Sequence, residues 1–382
     1  MIKRQDIEKL ENTVLAPYAM KSGASRGRQH QEKEHPYRTC FQRDRDRIIH
    51  SSAFRRLEYK TQVFVYHEGD YYRTRLTHSI EVAQISRSIC KSFRLNEDLA
   101  EAIALAHDLG HPPFGHTGQG VLNKLMKGSG GFEHNRQSLR ILKLLEKRYP
   151  DFKGLNLTWE VLEGICKHVT DEENPYFQME GRRFPSLEAQ VDDYADGIAY
   201  NAHDLDDGLT SGLLDMAQVR QVALWRENEK EMDKNYSNLD DKMKKYQVVR
   251  GIINHLITEF RKTTFEKLNK YEIEKADDVR KAPERIAGFG KETEEKNKEL
   301  KKFLYDNMYR HRRVQRMEFK SENYLTRIFE AYRNKPELLP ETVPKNGNKE
   351  EFERCICDYI SGMTDRYAIG EYKKLFTPDE KD

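Results

Sequence analysis

Three histidines and a carboxylate fall within ten positions in Ala106-His107-Asp108-Leu109-Gly110-His111-Pro112-Pro113-Phe114-Gly115-His116. An imidazole beside a carboxylate can bind a divalent metal, and histidines nearby can move protons. A solvated surface has no need of this combination. A metal site that also handles a charged substrate does. The segment reads as a helix end running into a loop punctuated by glycine and proline.

Two more places add donors. His78 lies in Arg75-Leu76-Thr77-His78, and Asp196 lies in Tyr194-Ala195-Asp196-Gly197-Ile198-Ala199-Tyr200. With His107 and Asp108 they make two imidazoles and two carboxylates, a set that suits Mn, Fe, Co, Ni, Zn or Mg. Four protein ligands leave room for water or a substrate oxygen, which points to catalysis rather than structure. Taken singly, each residue also fits a buried histidine or a helix cap. Asp196, Tyr200 and Asp204 are spaced i, i+4, i+8 and share one helix face. A solvated stripe is the plain alternative, but Ile198, Ala199, Ala202 and Leu205 can bury the adjoining sides. Arg75 and His78 also share a face, and a guanidinium beside a metal calls for a phosphate-bearing ligand.

The elements that must position these groups read as helices. One is expected over residues 77–93, with Ile80, Ala83, Ile85 and Ile89 inward. Asn96 should cap the next, with Leu99, Ile103 and Ala106 on one stripe, His107 on the last turn and Gly110 as the stop. Strand signals are few, and Val63-Phe64-Val65-Tyr66 before Gly69-Asp70 makes one short hairpin arm. The fold class is therefore all-α. Residues 1–40 read as a flexible polar arm, either a phosphate-contacting lid or a disordered leader. Residues 226–248 and 270–302 are dense in Lys, Glu and Asp and read as solvated helices or insertions. Pro336, Pro340 and Pro344 mark a loop before the last helical segment.

Bulk composition excludes little. A chain of 382 residues, 37% hydrophobic and 34% charged, can build a core and stay polar outside. A net charge of +2 neither requires nor excludes a nucleic-acid partner. The cysteines Cys40, Cys90, Cys166, Cys355 and Cys357 are odd in number and form no C-x-x-C pair, so a reducing cytoplasm is expected. The start lacks the apolar stretch of a signal peptide, and no apolar run reaches ~20 residues, so no membrane partner is expected.

A family resemblance rests on many motifs. They are Phe41-Gln-Arg-Asp-Arg-Asp-Arg47-Ile-Ile-His50-Ser51, Ala53-Phe-Arg-Arg-Leu57, Lys60-Thr-Gln-Val63, Leu76-Thr-His-Ser79, the His107–His116 run and Phe132-Glu-His-Asn135. Further on come Ala195-Asp-Gly-Ile-Ala-Tyr200, His203-Asp-Leu-Asp-Asp-Gly208, Asn307-Met-Tyr-Arg-His311 and Gly362-Met-Thr-Asp-Arg-Tyr367. In these the chain resembles the HD-superfamily deoxynucleoside triphosphate triphosphohydrolases, the dGTPase-like proteins.

The resemblance implies an HD-domain helical core over residues 41–215, and a helical C-terminal region over 216–382 that completes the site and builds interfaces. It implies hydrolysis of a dNTP, dGTP or others, to deoxynucleoside and inorganic triphosphate. His78, His107, Asp108 and Asp196 match the metal ligands, and His116 the catalytic histidine. His111 and His134 match histidines lining the α-phosphate, and Arg75 the phosphate-side arginine. Gln62, Tyr200 and Asp204 match groups near the sugar and its 3′-hydroxyl, and Glu58 is a candidate neighbour of the base. A homo-oligomer and an allosteric nucleotide are implied partners. Metal binding would lower the pKa of water from ~15.7 toward ~7.

One position departs from the pattern. Gln119 stands where the family places a glutamate that partners the catalytic histidine. An amide orients an imidazole but cannot stabilise imidazolium as a carboxylate does. Gln119 then gives weakened activity, or Glu133 substitutes, or the site is disabled. The alternatives are another HD phosphohydrolase, or a dNTP sensor or single-stranded nucleic-acid binder using Arg26-Gly27-Arg28 and Arg310-His311-Arg312-Arg313.

Overall fold

A computed structural model describes residues 1–62, 72–166, 183–236, 238–345 and 347–378. Seventeen α-helices stand among them, with only isolated bridges between extended residues, so the all-α expectation holds. The hairpin expected at 63–66 lies outside the described residues. The backbone divides into two compact units, each discontinuous in sequence. Unit one comprises residues 1–46, 80–105 and 158–312; unit two comprises 47–79, 106–157 and 313–382. This differs from the sequential division read from the motifs.

Unit one is built around the helix Leu187–Thr210. Ser186 caps it, its Oγ accepting from the Ala189 N–H at 3.4 Å. Ala195, Ile198, Ala199, Ala202 and Leu205 are buried along it, as their spacing requires. Three helices pack against it: Trp159–Ile165, Asp241–Lys270 and Lys291–Leu304. Asp241–Lys270 buries Val248, Ile252, Leu256 and Phe260 at intervals of four, and Lys291–Leu304 buries Leu300 and Leu304. The charge-rich segments 226–248 and 270–302 are largely helical, the first of the two readings, with Met232, Val248, Val279 and Leu300 among their buried side chains.

The segment expected to be a flexible arm is anchored in unit one. Arg28 pairs with the buried Asp44, whose other oxygen accepts from Thr158 N at 2.8 Å and Thr158 Oγ1 at 2.6 Å. Glu160 accepts from Ser25 Oγ at 2.7 Å and Arg26 N at 2.8 Å. The Arg26 guanidinium lies 4.3 Å from the centroid of the Trp159 ring. Its basic side chains are therefore engaged by the fold, a result of long-range partners that local composition does not reveal.

The helix Arg75–Ser92 buries Ala83, Ile85 and Ile89 as expected, together with Val82, but Ile80 is exposed. At about 100° per residue Ile80 points away from the stripe through 82, 85 and 89. Asn96 caps Glu97–Ala106, its Oδ1 accepting from Leu99 N at 3.1 Å. That helix ends at Ala106, and His107 opens the turn beyond it rather than closing the helix.

Unit two has its own apolar core. The helices Gly115–Leu125, Arg312–Asn334, Lys349–Ser361 and Asp365–Phe376 contribute Leu122, Leu325, Phe329, Ile356, Ile360 and Ala368. Asn348 and Glu351 form a reciprocal capping box at the start of Lys349–Ser361. Gly110 is not a left-handed stop; it permits a close approach. A Cβ there would stand 2.1 Å from the His134 carbonyl oxygen and 2.3 Å from Ser138 N. The Gly110 N–H donates to Ser138 Oγ at 2.8 Å, and that hydroxyl donates to the His107 carbonyl at 3.1 Å. The His107–His111 turn is thereby fixed against the helix His134–Arg140.

Gly110→Ala should lower stability by more than about 3 kcal/mol or prevent folding, because backbone cannot yield as a side-chain tip does. Gly120, with open space at its Cβ position in a helix, should gain up to about 1 kcal/mol on Gly120→Ala. Denaturant midpoints of the two variants check both signs.

Candidate active site

Unit two gathers most of the chemistry-bearing residues. His78, on the first turn of Arg75–Ser92, and His107 both lie buried, with ring centroids 5.6 Å apart. A ring nitrogen of each lies within 4.8 Å of the other. His107 Nε2 is 3.3 Å from Asp108 Oδ1, and His111 Nε2 is 3.6 Å from the same oxygen. Arg75 Nη1 donates to Asp108 Oδ2 at 2.7 Å, and both side chains are buried. Burial alone would raise the Asp108 pKa. The groups around it, His107 and then the Arg75 guanidinium foremost, outweigh it and hold the carboxyl well below its usual range. Asp108 is therefore an anion. The His78 and His107 ring nitrogens, within 4.8 Å of each other, suit a borderline divalent ion.

Arg75, expected on the phosphate side, is here the partner that orients and ionises Asp108. Its Nε is buried with no partner among the described residues. His111 is driven the other way. Burial and Arg75 lower its pKa well below 6.5 despite Asp108, with His134 and His116 adding to the depression. It is a neutral imidazole at neutral pH, its Nδ1 buried and unpartnered among the described residues. The His134 ring lies 4.0 Å from it and the His116 ring 5.6 Å, centroid to centroid. His116 is exposed on the first turn of Gly115–Leu125.

Gln119 makes its contact with His134. Its Oε1 accepts from the His134 backbone N–H at 3.1 Å and lies 2.7 Å from His134 Nδ1. The backbone donor fixes which amide atom faces the ring, so Nδ1 carries a proton. Glu133 Oε1 lies 2.9 Å from the same Nδ1. Glu133 also caps His134–Arg140, accepting from Asn135 N at 3.0 Å and Arg136 N at 2.9 Å. Partial burial raises the Glu133 pKa, but His134 and those two amides bring it down to about 2. A carboxylate thus does reach a site histidine, from position 133.

Two residues with no role in the sequence reading hold this loop. Lys60 is fully buried and donates from Nζ to the His111 carbonyl at 2.5 Å and the Ser361 carbonyl at 3.0 Å. Burial, with Arg56 and Arg75 nearby, brings its pKa down to about 7. Asp365, at the start of the helix Asp365–Phe376, accepts from Phe114 N and Thr61 N at 2.9 Å each, and from Thr61 Oγ1. Phe114 has φ 63°, costly for a bulky side chain, and this bond helps to hold it there. Gln62 follows Thr61, with its Oε1 buried and unpartnered among the described residues. Glu58 is half-buried in the short turn Leu57–Tyr59.

Unit one carries Asp196, Tyr200 and Asp204 on Leu187–Thr210. Asp196 and Tyr200 are half-buried and Asp204 is buried, so the face is not a solvated stripe. Tyr309, absent from the sequence reading, ends a π-helical turn at Tyr305–Tyr309. Its hydroxyl donates to Asp204 Oδ2 and bonds the Tyr200 hydroxyl; the two rings are within 7° of parallel. Burial, Asp204 and Tyr200 all raise the Tyr309 pKa, which keeps its proton on. Lys60, Asp365 and Tyr309 each stand inside a motif quoted above. That placement was the available signal.

The HD domain family matches residues 75–201, and the phosphohydrolase-associated domain family matches residues 287–374. These matches define an HD-domain phosphohydrolase. The chain is 52% identical over 384 residues to a deoxyguanosinetriphosphate triphosphohydrolase-like protein of Geobacter sulfurreducens, covering 100% of both. It is 51% identical to such proteins of Geobacter metallireducens, covering 97% of each, and of Ralstonia pickettii, covering 96% of this chain and 95% of the relative. The chain belongs to this deoxyguanosinetriphosphate triphosphohydrolase-like family. Among the described residues no helix is long and apolar enough to cross a membrane.

Glu133→Gln should destabilise the protein by about 1 kcal/mol at pH 7, the usual size of a lost helix cap. A folded pKa of about 2 against 4.5 unfolded means the contribution is full above about 4.5 and is lost as pH falls toward 2. Stability curves of the two proteins should therefore converge on acidification; a constant gap would contradict the assignment.

Proposed function

We propose that this protein hydrolyses a deoxynucleoside triphosphate to a deoxynucleoside and inorganic triphosphate. The buried His78–His107–Asp108 cluster carries the reading, in a chain whose relatives bear the dGTP triphosphohydrolase-like name. His78, His107 and Asp108 hold a divalent ion in this reading. Asp196 is the fourth ligand, supported by its motif within the HD-domain match. When bound, the ion supplies Lewis acidity toward a phosphoryl oxygen and acidifies water. Its identity lies within the Mn, Mg, Fe, Co, Ni and Zn group.

The chain's own residues supply the rest. Arg75 keeps Asp108 ionised and oriented. Neutral His111 offers a hydrogen bond to the α-phosphate without adding a buried charge. His134 keeps its Nδ1 proton on Gln119 and Glu133, leaving Nε2 for the phosphate. Glu133 places a carboxylate on that ring, so Gln119 does not leave the histidines without one. His116, exposed beside His111, passes a proton to the leaving 5′-oxygen. Gln62 is a sugar contact through its free Oε1. Asp204 and Tyr200, tied through Tyr309, recognise the 3′-hydroxyl, and the Tyr200 ring occupies the space a 2′-hydroxyl needs. Five free thiols fit a reducing cytoplasm.

Product analysis tests the reaction. Each dNTP, alone and mixed, incubated with protein and Mn, Mg or Co, should give deoxynucleoside and intact triphosphate, and His107→Ala should reduce both to background. Release of orthophosphate or of a nucleoside monophosphate would sink the reading. Tyr309→Phe removes one hydroxyl link to Asp204 and should raise KM for a dNTP about tenfold. Tyr200→Ala should admit ribonucleotides; continued exclusion would remove the tyrosine from sugar selection.

A further inference from the structure

Unit two holds a cavity of about 530 Å³ that none of the site residues named above lines. One wall is the π-helical turn Ile141–Leu145, which follows Arg140 at the end of the helix His134–Arg140. The 342–344 loop and Cys355, Asp358 and Tyr359 of the helix Lys349–Ser361 line it as well. Single π-turns are rare and concentrate at functional positions. The volume is in the range that accepts a small organic molecule.

The lining sorts into an apolar body and a positive rim. Leu144, Leu145, Val343, Pro344 and the Tyr359 ring form the apolar part. The lining also holds four cations and two acids: Arg56, Arg140, Lys147 and Lys153 against Glu146 and Asp358. Two of these six cancel. Arg140 Nε donates to both Asp358 oxygens at 2.8 Å, with Nη2 at 2.7 Å from Oδ2. Glu146 spends its oxygens on backbone, accepting from Ala53 N at 2.7 Å and Ser52 N at 3.2 Å. Arg56 reaches it only at 3.9 Å. Lys147 and Lys153 are exposed at the rim. Arg56 is about two-fifths exposed and has no side-chain acid closer than Glu146 among the described residues, so its guanidinium is open to an anion entering the cavity.

We propose that this cavity binds a small organic anion, a ring-sized apolar body carrying one phosphate or carboxylate. The head group pairs with Arg56, Lys147 and Lys153, and the body rests on Leu144, Val343 and Tyr359. A neutral apolar ligand would leave the three cations unmatched. Free inorganic phosphate would leave the apolar wall uncovered. Only a molecule with both parts satisfies both halves of the lining. The binding does not depend on the hydrolase reading.

Photolabelling of the full chain with 4-azidophenyl phosphate and 4-azidobenzoate, followed by peptide mapping, tests it. Adducts should fall within residues 140–153 or 342–362 and be competed away by phenyl phosphate or benzoate. Whichever probe labels more assigns the head group. Combining Arg56→Gln, Lys147→Gln and Lys153→Gln should cut this labelling about tenfold, the loss expected from three partly screened charges. The Lys147→Gln, Lys153→Gln pair alone changes only exposed side chains, should fold normally and should also reduce labelling. Neutral 4-azidobenzyl alcohol should label these segments far more weakly. Equal labelling of the variants, equal labelling by the neutral azide, or adducts confined to residues 107–134 would overturn the proposal.

Discussion

A buried carboxylate sets the terms for the centre of unit two. Moving an anion out of water costs several kcal/mol unless partners compensate it. Asp108 meets that cost with Arg75 on one oxygen and two imidazoles on the other. Arg75 comes from 33 positions upstream and is itself buried, so neither side chain can be placed without the other. The requirement also shapes the neighbours. With one anion and one guanidinium already enclosed, a second buried cation is unfavourable, and His111 stays neutral.

The loop that carries these groups is held by backbone as much as by side chains. Gly110 lets the His134–Arg140 helix approach within contact distance. Lys60 ties the His111 carbonyl to Ser361, and Asp365 ties Phe114 to Thr61. Both ties reach segments more than 200 residues further along the chain, within the span of the phosphohydrolase-associated match. The C-terminal helices of unit two therefore belong to the site's construction. Loss of Asp365 would leave two buried amides and a left-handed Phe114 without support.

The two histidine environments separate chemical roles. His111 lies against Arg75 and two other imidazoles and has every reason to stay uncharged. His134 has an amide oxygen and a carboxylate on one nitrogen. Divergent surroundings of this kind allow acid and base functions to coexist at one pH. Substitution at position 119 alters one member of the His134 pair of acceptors and leaves the charged one in place.

The helical class, the cap at Asn96 and the buried side of Leu187–Thr210 were legible in the chain, because spacing and cap chemistry act over a few residues. The His107–His116 segment was legible too, since its residue types are improbable without a shared task. Tertiary structure alone decided which partners those residues meet. Ile80 faces out because the packed stripe runs through Val82. The basic 22–28 segment is anchored because Asp44 and Glu160 wait for it from distant positions. Lys60, Asp365 and Tyr309 gained roles through contacts spanning tens to hundreds of residues, and Gln119 was given His134 as its partner. Local sequence fixes the shape of each helix; compensation of buried charge and satisfaction of buried amides, which only the folded chain brings together, fix what each side chain does.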